Sequence, residues 1–198
     1  MSKQQEEKRV LGLTKKQRSH IYTALFVLVF LIFFFVNNSF EETKPGPYPP
    51  NYKAKIDPSS RETAPEFQLA SVTGEIISLS DYKEKIVILD FWATWCAPCR
   101  KAIPDLIELK NEYPADKFEI IGISLDTDTK DDVKPFVEQF KINYPIVYGE
   151  YNTAMQYGNI QSIPTSFVLD KEGRIYSSYI GYVNKDIYKK DIEKLNEE

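Results

Sequence analysis

Cys96 and Cys99 are the only cysteines in 198 residues, and they stand three apart in Phe91-Trp92-Ala93-Thr94-Trp95-Cys96-Ala97-Pro98-Cys99-Arg100. A bond between neighbours so close in sequence cannot staple distant parts of a fold. It can open and close with the redox state, and that is chemistry. The attacking species in thiol–disulfide exchange is a thiolate, so a working cysteine needs its pKa lowered. The apolar run Lys85–Trp92 reads as a strand leading into a helix that starts at the cysteines. The dipole and free N–H groups of such a helix start favour negative charge, and Pro98 suits its first turn. Cys96 at the junction is the expected exposed nucleophile, and Cys99, one turn in, the shielded resolving sulfur. Metal readings fit less well. Zinc wants about four ligands, yet the single histidine, His20, lies far up the chain. Haem attachment wants histidine after the second cysteine, and Arg100 is there. Copper delivery would want a histidine or further sulfur near the pair. The chemistry calls for no metal and no cofactor.

Three other positions bear on that chemistry. Asp90 places a carboxylate inside an apolar strand, which is costly unless it is paired or protonated. It stands where it can take the proton of Cys99 during resolution, or it caps a neighbouring turn. Ile163-Pro164-Thr165 precedes a strand; a trans bond would be unremarkable, whereas a cis bond would offer the Ile163 backbone to an extended substrate segment. Trp95 reads as an apolar lip beside Cys96. With Ala97, Pro98, Ile163 and Pro164 it makes up the candidate client-contacting set. Asp126, Asp128, Asp131 and Asp132 resemble a calcium loop only in their acid spacing. They lack its glycine at position six and glutamate at twelve, so a solvated loop with a helix cap is expected.

The elements that must position these residues follow from periodicity. A strand–turn–strand with Gly74 at the turn leads to Ile76–Leu79, then a turn at Ser80-Asp81. After the central strand, Ile103, Leu106, Ile107 and Leu109 mark one face of a helix. Phe118–Leu125 is a second buried strand. Asp131 and Asp132 open a helix with stripe Val133, Phe136, Val137 and Phe140, and Pro135 in its first turn. Tyr144–Val147 is a short strand, and Tyr151–Gly158 a short helix closed by glycine. Thr165–Leu169 and Arg174–Tyr179 form a hairpin around Asp170–Gly173, and a polar helix begins near Lys185. Strand–helix–strand units followed by a hairpin and helix make a mixed α/β sheet.

Upstream, Ile21–Val36 is a continuous apolar run. Sixteen helical residues span roughly 24 Å, a little under the roughly 30 Å hydrocarbon core, with His20, Tyr22 and Asn37–Phe40 at the interfaces. An uncleaved signal anchor competes with a cleaved signal peptide. The anchor is favoured because no small-x-small cleavage site follows and the run exceeds a usual h-region. Lys3, Lys8, Arg9, Lys15, Lys16 and Arg18 precede it, and only Lys44 lies close behind. The positive side stays cytoplasmic, so the rest faces outward, into an oxidising space. The division expected is a basic cytoplasmic tail over 1–20, a transmembrane anchor over 21–40, a proline-rich spacer over 41–60 and one domain over 61–198. From residue 61 onward, 16 Lys and Arg face 24 Asp and Glu, a net of −8. That argues against nucleic acid and against an anionic membrane surface as partners.

Together these residues resemble the thioredoxin superfamily over 61–198. The resemblance rests on Asp90-Phe91-Trp92-Ala93-x-Trp95-Cys96-x-Pro98-Cys99, Pro104 within the helix, and Ile163-Pro164-Thr165. The Ala64-Pro65-Glu66-Phe67 opening and the long gap from Cys99 to Pro164 look like the membrane-anchored TlpA/ResA/CcmG-type branch. The resemblance implies a thioredoxin fold with an N-terminal β-hairpin and a central insert, and a cis Pro164. It implies reduction of disulfides in extracytoplasmic client proteins, often apocytochrome c, with electrons from a transmembrane thiol donor. Several members carry glutamate three residues after the second cysteine, where Ala102 stands here, and some of those lack the aspartate that Asp90 supplies. Asp90 is therefore expected to take over proton handling. A peroxiredoxin-like peroxidase shares the Ala-Pro-x-Phe opening but wants threonine where Ala93 stands. A metallochaperone or redox-inactive client-binding module is the non-enzymatic alternative, and the missing histidines speak against it.

Overall fold

The computed structural model describes residues 15–39, 53–54 and 58–198. The basic tail up to residue 14 and most of the proline-rich segment, 40–52 and 55–57, lie outside the described residues. The chain divides into two compact units, Met1–Lys44 and Pro45–Glu198. In the first, helix α1 (Lys15–Ser39) covers the apolar run, and its apolar side chains from Ile21 to Leu31 are exposed. Among the described residues, no helix is long and apolar enough to cross a membrane.

The second unit is built on a six-stranded mixed sheet of order β1-β8-β7-β4-β5-β6. Its strands are β1 (Lys53–Ala54), β4 (Ile86–Trp92), β5 (Phe118–Ser124), β6 (Ile146–Tyr148), β7 (Thr165–Leu169) and β8 (Ile175–Ile180). Strands β4, β5 and β6 run parallel, and β7, β8 and β1 are antiparallel to their neighbours. A separate hairpin pairs β2 (Gln68–Ala70) with β3 (Ile76–Ser78). All seven residues of β4 and of β5 are buried, as expected for strands covered on both faces.

Alternation along β4 sends its side chains into two cores. Ile86, Ile88 and Trp92 meet α2 (Ala97–Glu112) through Ile103, Leu106 and Leu109, and α5 (Lys185–Asn196) through Tyr188, Ile192 and Leu195. Val133 and Phe136 of α3 (Lys130–Phe140) join the same core. Val87, Leu89 and Phe91 pack on the other face with Leu69, Leu79 and Tyr157, the last just beyond α4 (Tyr151–Gln156). Each fully buried aliphatic or aromatic side chain contributes roughly 1.5–3 kcal/mol. The molecule is thus a thioredoxin-type α/β fold, with the N-terminal hairpin β2–β3 and the α3–β6 insert between the two halves of the motif.

The sequence reading and the structure differ in several elements. Lys53 and Ala54, read as part of the spacer, add an edge strand by pairing with Ser178 and Ser177. A stretch poor in apolar side chains can still satisfy its backbone on a free sheet edge. Helix α3 begins at Lys130, one residue early, which moves Pro135 into the second turn. The short strand near residue 144 starts only at Ile146; Pro145 instead offers its carbonyl to the Gly122 N–H at 2.9 Å.

Candidate active site

Strand β4 delivers the cysteines. After Trp92 the chain turns over Ala93–Cys96, closed by the Cys96 N–H on the Ala93 carbonyl at 3.2 Å, and α2 begins at Ala97. Cys96 occupies the N-cap position, where its Sγ accepts the Cys99 N–H at 3.2 Å. The two sulfurs are joined as a disulfide, with Cα atoms 5.3 Å apart. Pro98 stands in the first helical turn, where its missing N–H costs nothing. A thiolate at Cys96 after reduction would meet the same N–H and the positive end of the helix.

Cys99 is 1 % exposed and Cys96 only 4 %. Both are buried, so in the disulfide form Cys96 is not the exposed residue that the sequence reading expects. The Ile163 carbonyl, 3.7 Å from Cys96 Sγ, stands over it. The Ile163–Pro164 bond is cis. Pro164 is buried and receives the Gly181 N–H on its carbonyl at 2.7 Å, which fixes the loop to the end of β8. Ala97 and Pro98 are exposed, and Trp95 is 62 % exposed. These three residues put an apolar surface immediately beside Cys96.

Asp90 is 4 % exposed and faces the same core as Trp92 and Cys99, two strand positions behind the cysteine turn. Its register partners are Gly122 on β5 and Ser166 on β7. Among the described residues nothing donates a hydrogen bond to its carboxylate. Burial therefore pushes its pKa up to about 7. The neighbouring phenols respond in kind: burial and the nearby Asp90 charge drive Tyr144 and Tyr188 upward. Tyr188 and Ser166 share a hydrogen bond of 2.7 Å. Gly122 makes room here, because a Cβ would run into the Ile146 side chain and approach Trp92 Nε1 to 3.1 Å. Ala102 is buried on α2.

One residue was misread from sequence. Asp126 is 5 % exposed, not part of a solvated loop. Its carboxylate accepts the Thr94 N–H at 3.0 Å and the hydroxyls of Thr94, Ser124 and Thr129 at 2.5, 2.8 and 2.6 Å. The surplus of hydroxyl residues around it, Ser124, Thr127 and Thr129, was the available signal.

A C-x-x-C disulfide at a helix N-terminus beside a cis-proline loop now has a family to sit in. Residues 61–178 match the AhpC/TSA family. The chain belongs to that family. The thioredoxin-like protein YneN of Bacillus subtilis is 34 % identical over 135 residues, covering 67 % of this chain and 78 % of that protein. The thiol-disulfide oxidoreductase ResA of Geobacillus kaustophilus is 33 % identical over 133 residues, covering 67 % and 76 %. Among solved structures, a DsbF homologue from Corynebacterium diphtheriae superposes with TM-score 0.67 at 34 % identity, covering 74 % of this chain and 96 % of its own. A putative thiol:disulfide interchange protein DsbE from Chlorobium tepidum gives 0.61 at 31 % identity, covering 68 % and 96 %. This AhpC/TSA-family chain is accordingly a thiol–disulfide oxidoreductase of the ResA/DsbE type with a Cys96–Cys99 pair.

Proposed function

We propose that the protein is a membrane-anchored reductant of extracytoplasmic protein disulfides, with Cys96 as nucleophile, Cys99 as resolving thiol and Asp90 as proton acceptor. The observation that carries this reading is the Cys99 N–H on Cys96 Sγ at the start of α2, with Asp90 buried on the strand that leads into the pair. In the reduced protein the Cys96 thiolate attacks one sulfur of the client disulfide. The client S–S bond breaks, a Cys96–client bond forms, and the displaced client sulfur leaves as a thiolate that takes a proton from water. Cys99 then gives its proton to Asp90 and attacks Cys96 Sγ. The Cys96–Cys99 bond forms, the second client sulfur departs, and two electrons have passed to the client. A transmembrane thiol donor restores the dithiol. Client contacts are assigned to Trp95, Ala97, Pro98, Ile163 and Pro164.

Anchoring is supported by the apolar run within residues 21–40 and by the six basic residues before it, which orient the domain away from the cytoplasm. An apocytochrome c client is the finer assignment. It draws its support from the likeness to the branch containing ResA and DsbE.

The reduction potential of the pair, read in defined thiol–disulfide buffers, tests the direction of electron flow. A value near or below roughly −270 mV, that of thioredoxin, supports a reductant with a dedicated electron supply. A value near roughly −120 mV, that of DsbA, would make the protein a disulfide donor instead.

A further inference from the structure

We infer that Asp126 and Thr94 are positioning residues for the nucleophile: Asp126 pins the turn that carries Trp95 and presents Cys96 at the start of α2. Thr94 and Asp126 are 32 residues apart, on different strand ends. Asp126 nevertheless holds Thr94 twice, by its backbone N–H and by its hydroxyl. Thr94 is the second residue of the turn closed by the Cys96 N–H on the Ala93 carbonyl. Both the main chain and the side chain at that corner are therefore fixed two residues before the reactive sulfur. From the other side, Ser124 Oγ donates to the same carboxylate and accepts the Asp126 N–H at 3.2 Å. Thr129, at the start of α3, donates to it too.

A buried carboxylate costs several kcal/mol unless it is paired or fully hydrogen-bonded. Among the described residues no Lys or Arg pairs with Asp126, and all its donors are neutral. Closing the loop between β5 and α3 would need only Ser124 and Thr129. The two further bonds to Thr94 go to the cysteine turn. Loosening that turn lets Cys96 Sγ drift from the Cys99 N–H and the helix end, which raises the pH at which the thiolate forms. Simple removal of a nearby negative charge has the opposite sign, so the direction of the change separates positioning from a field effect.

The inference rests on Cys96 being the attacking sulfur, and one experiment separates the two. The full chain is reduced, alkylated with iodoacetamide across a pH series, and the labelled cysteine mapped by mass spectrometry. In the unaltered protein the label is expected on Cys96. Thr94→Val leaves Asp90 on β4, Asp126 after β5, Arg100 on α2, Tyr144 and Tyr188 in place. It is expected to raise the pH midpoint of labelling and to slow labelling below that midpoint by roughly tenfold, the effect of one pKa unit. Thr94→Ser restores the original midpoint, Thr129→Val leaves it unmoved, and Asp126→Asn raises it. Label on Cys99 in the unaltered protein would remove the premise. With label on Cys96, an unchanged midpoint in Thr94→Val, an equal shift in Thr129→Val, or a fall in Asp126→Asn would each overturn the inference itself.

Discussion

Asp90 carries the sharpest consequences of any single residue. Replacing it by asparagine keeps the shape and removes the proton acceptor. Asp90→Asn is expected to slow resolution of a Cys96 mixed disulfide by roughly 10²-fold or more, in the range a general base contributes, while alkylation of Cys96 stays nearly unchanged. Rapid-quench trapping of the mixed disulfide reads the first rate and iodoacetamide labelling the second; equal resolution in both proteins would remove Asp90 from the mechanism. Stability gives an independent check. The folded protein holds the Asp90 proton up to about pH 7, whereas the unfolded chain releases it near the ordinary value of 3.8. Between those limits the native state binds more protons, so this group makes stability fall as pH rises, and the loss is complete above about pH 7. Asp90→Asn is therefore expected to be more stable than the unaltered protein at pH 8, by on the order of 4 kcal/mol, and level with it near pH 4. Urea unfolding at the two pH values reads the difference. The sequence raised Asp90 as either a proton carrier or a turn cap. What removes the cap reading is the lack of any described donor to its carboxylate, a property of the strands on either side.

At the scale of elements, β4 and β5 carry the site between them. Gly122, midway along β5, keeps the space beside Asp90 clear for the Trp92 indole and for Tyr144. Gly122→Ala is expected to destabilise the fold by about 1–3 kcal/mol, the cost of overpacking a well-filled core. Trp92 emission, read against a Trp95→Phe background, should change with it. An unshifted denaturation midpoint would show that the Ile146 side chain yields freely. The helices were legible because their apolar residues recur at helical spacing. The start of α3 was not, since the hydroxyl that would have capped it at Thr129 is committed to Asp126. Side-chain chemistry at a helix end depends on which partner reaches it first, and that partner here lies on another element.

For the whole molecule, Arg61 ties the beginning of the folded unit to its end. It pairs with Asp170 at 3.0 Å and with Glu198 at 2.6 Å, and Arg174 shares Asp170. Arg61→Met is expected to cost about 3 kcal/mol, as for removing one partner of a buried ion pair, with the Cys96–Cys99 potential unmoved; thermal unfolding and buffer titration read the two. Anchoring is tested on the intact chain. Residues 1–198 are expected to sediment with membranes and to resist salt extraction, whereas a chain lacking residues 1–40 should be released. By itself the sequence determined the redox chemistry, the order of the strands and helices, and the fold class. Those follow from local spacing: a C-x-x-C between a strand and a helix, and apolar periods of two and of about 3.6. Only the tertiary structure decided that the edge strand comes from Lys53 and Ala54, that Cys96 lies beneath the Ile163 carbonyl, and that Asp126 holds the cysteine turn. Each of these depends on groups 30 to more than 120 residues apart meeting across the sheet, and no local pattern in a chain records which distant groups will meet.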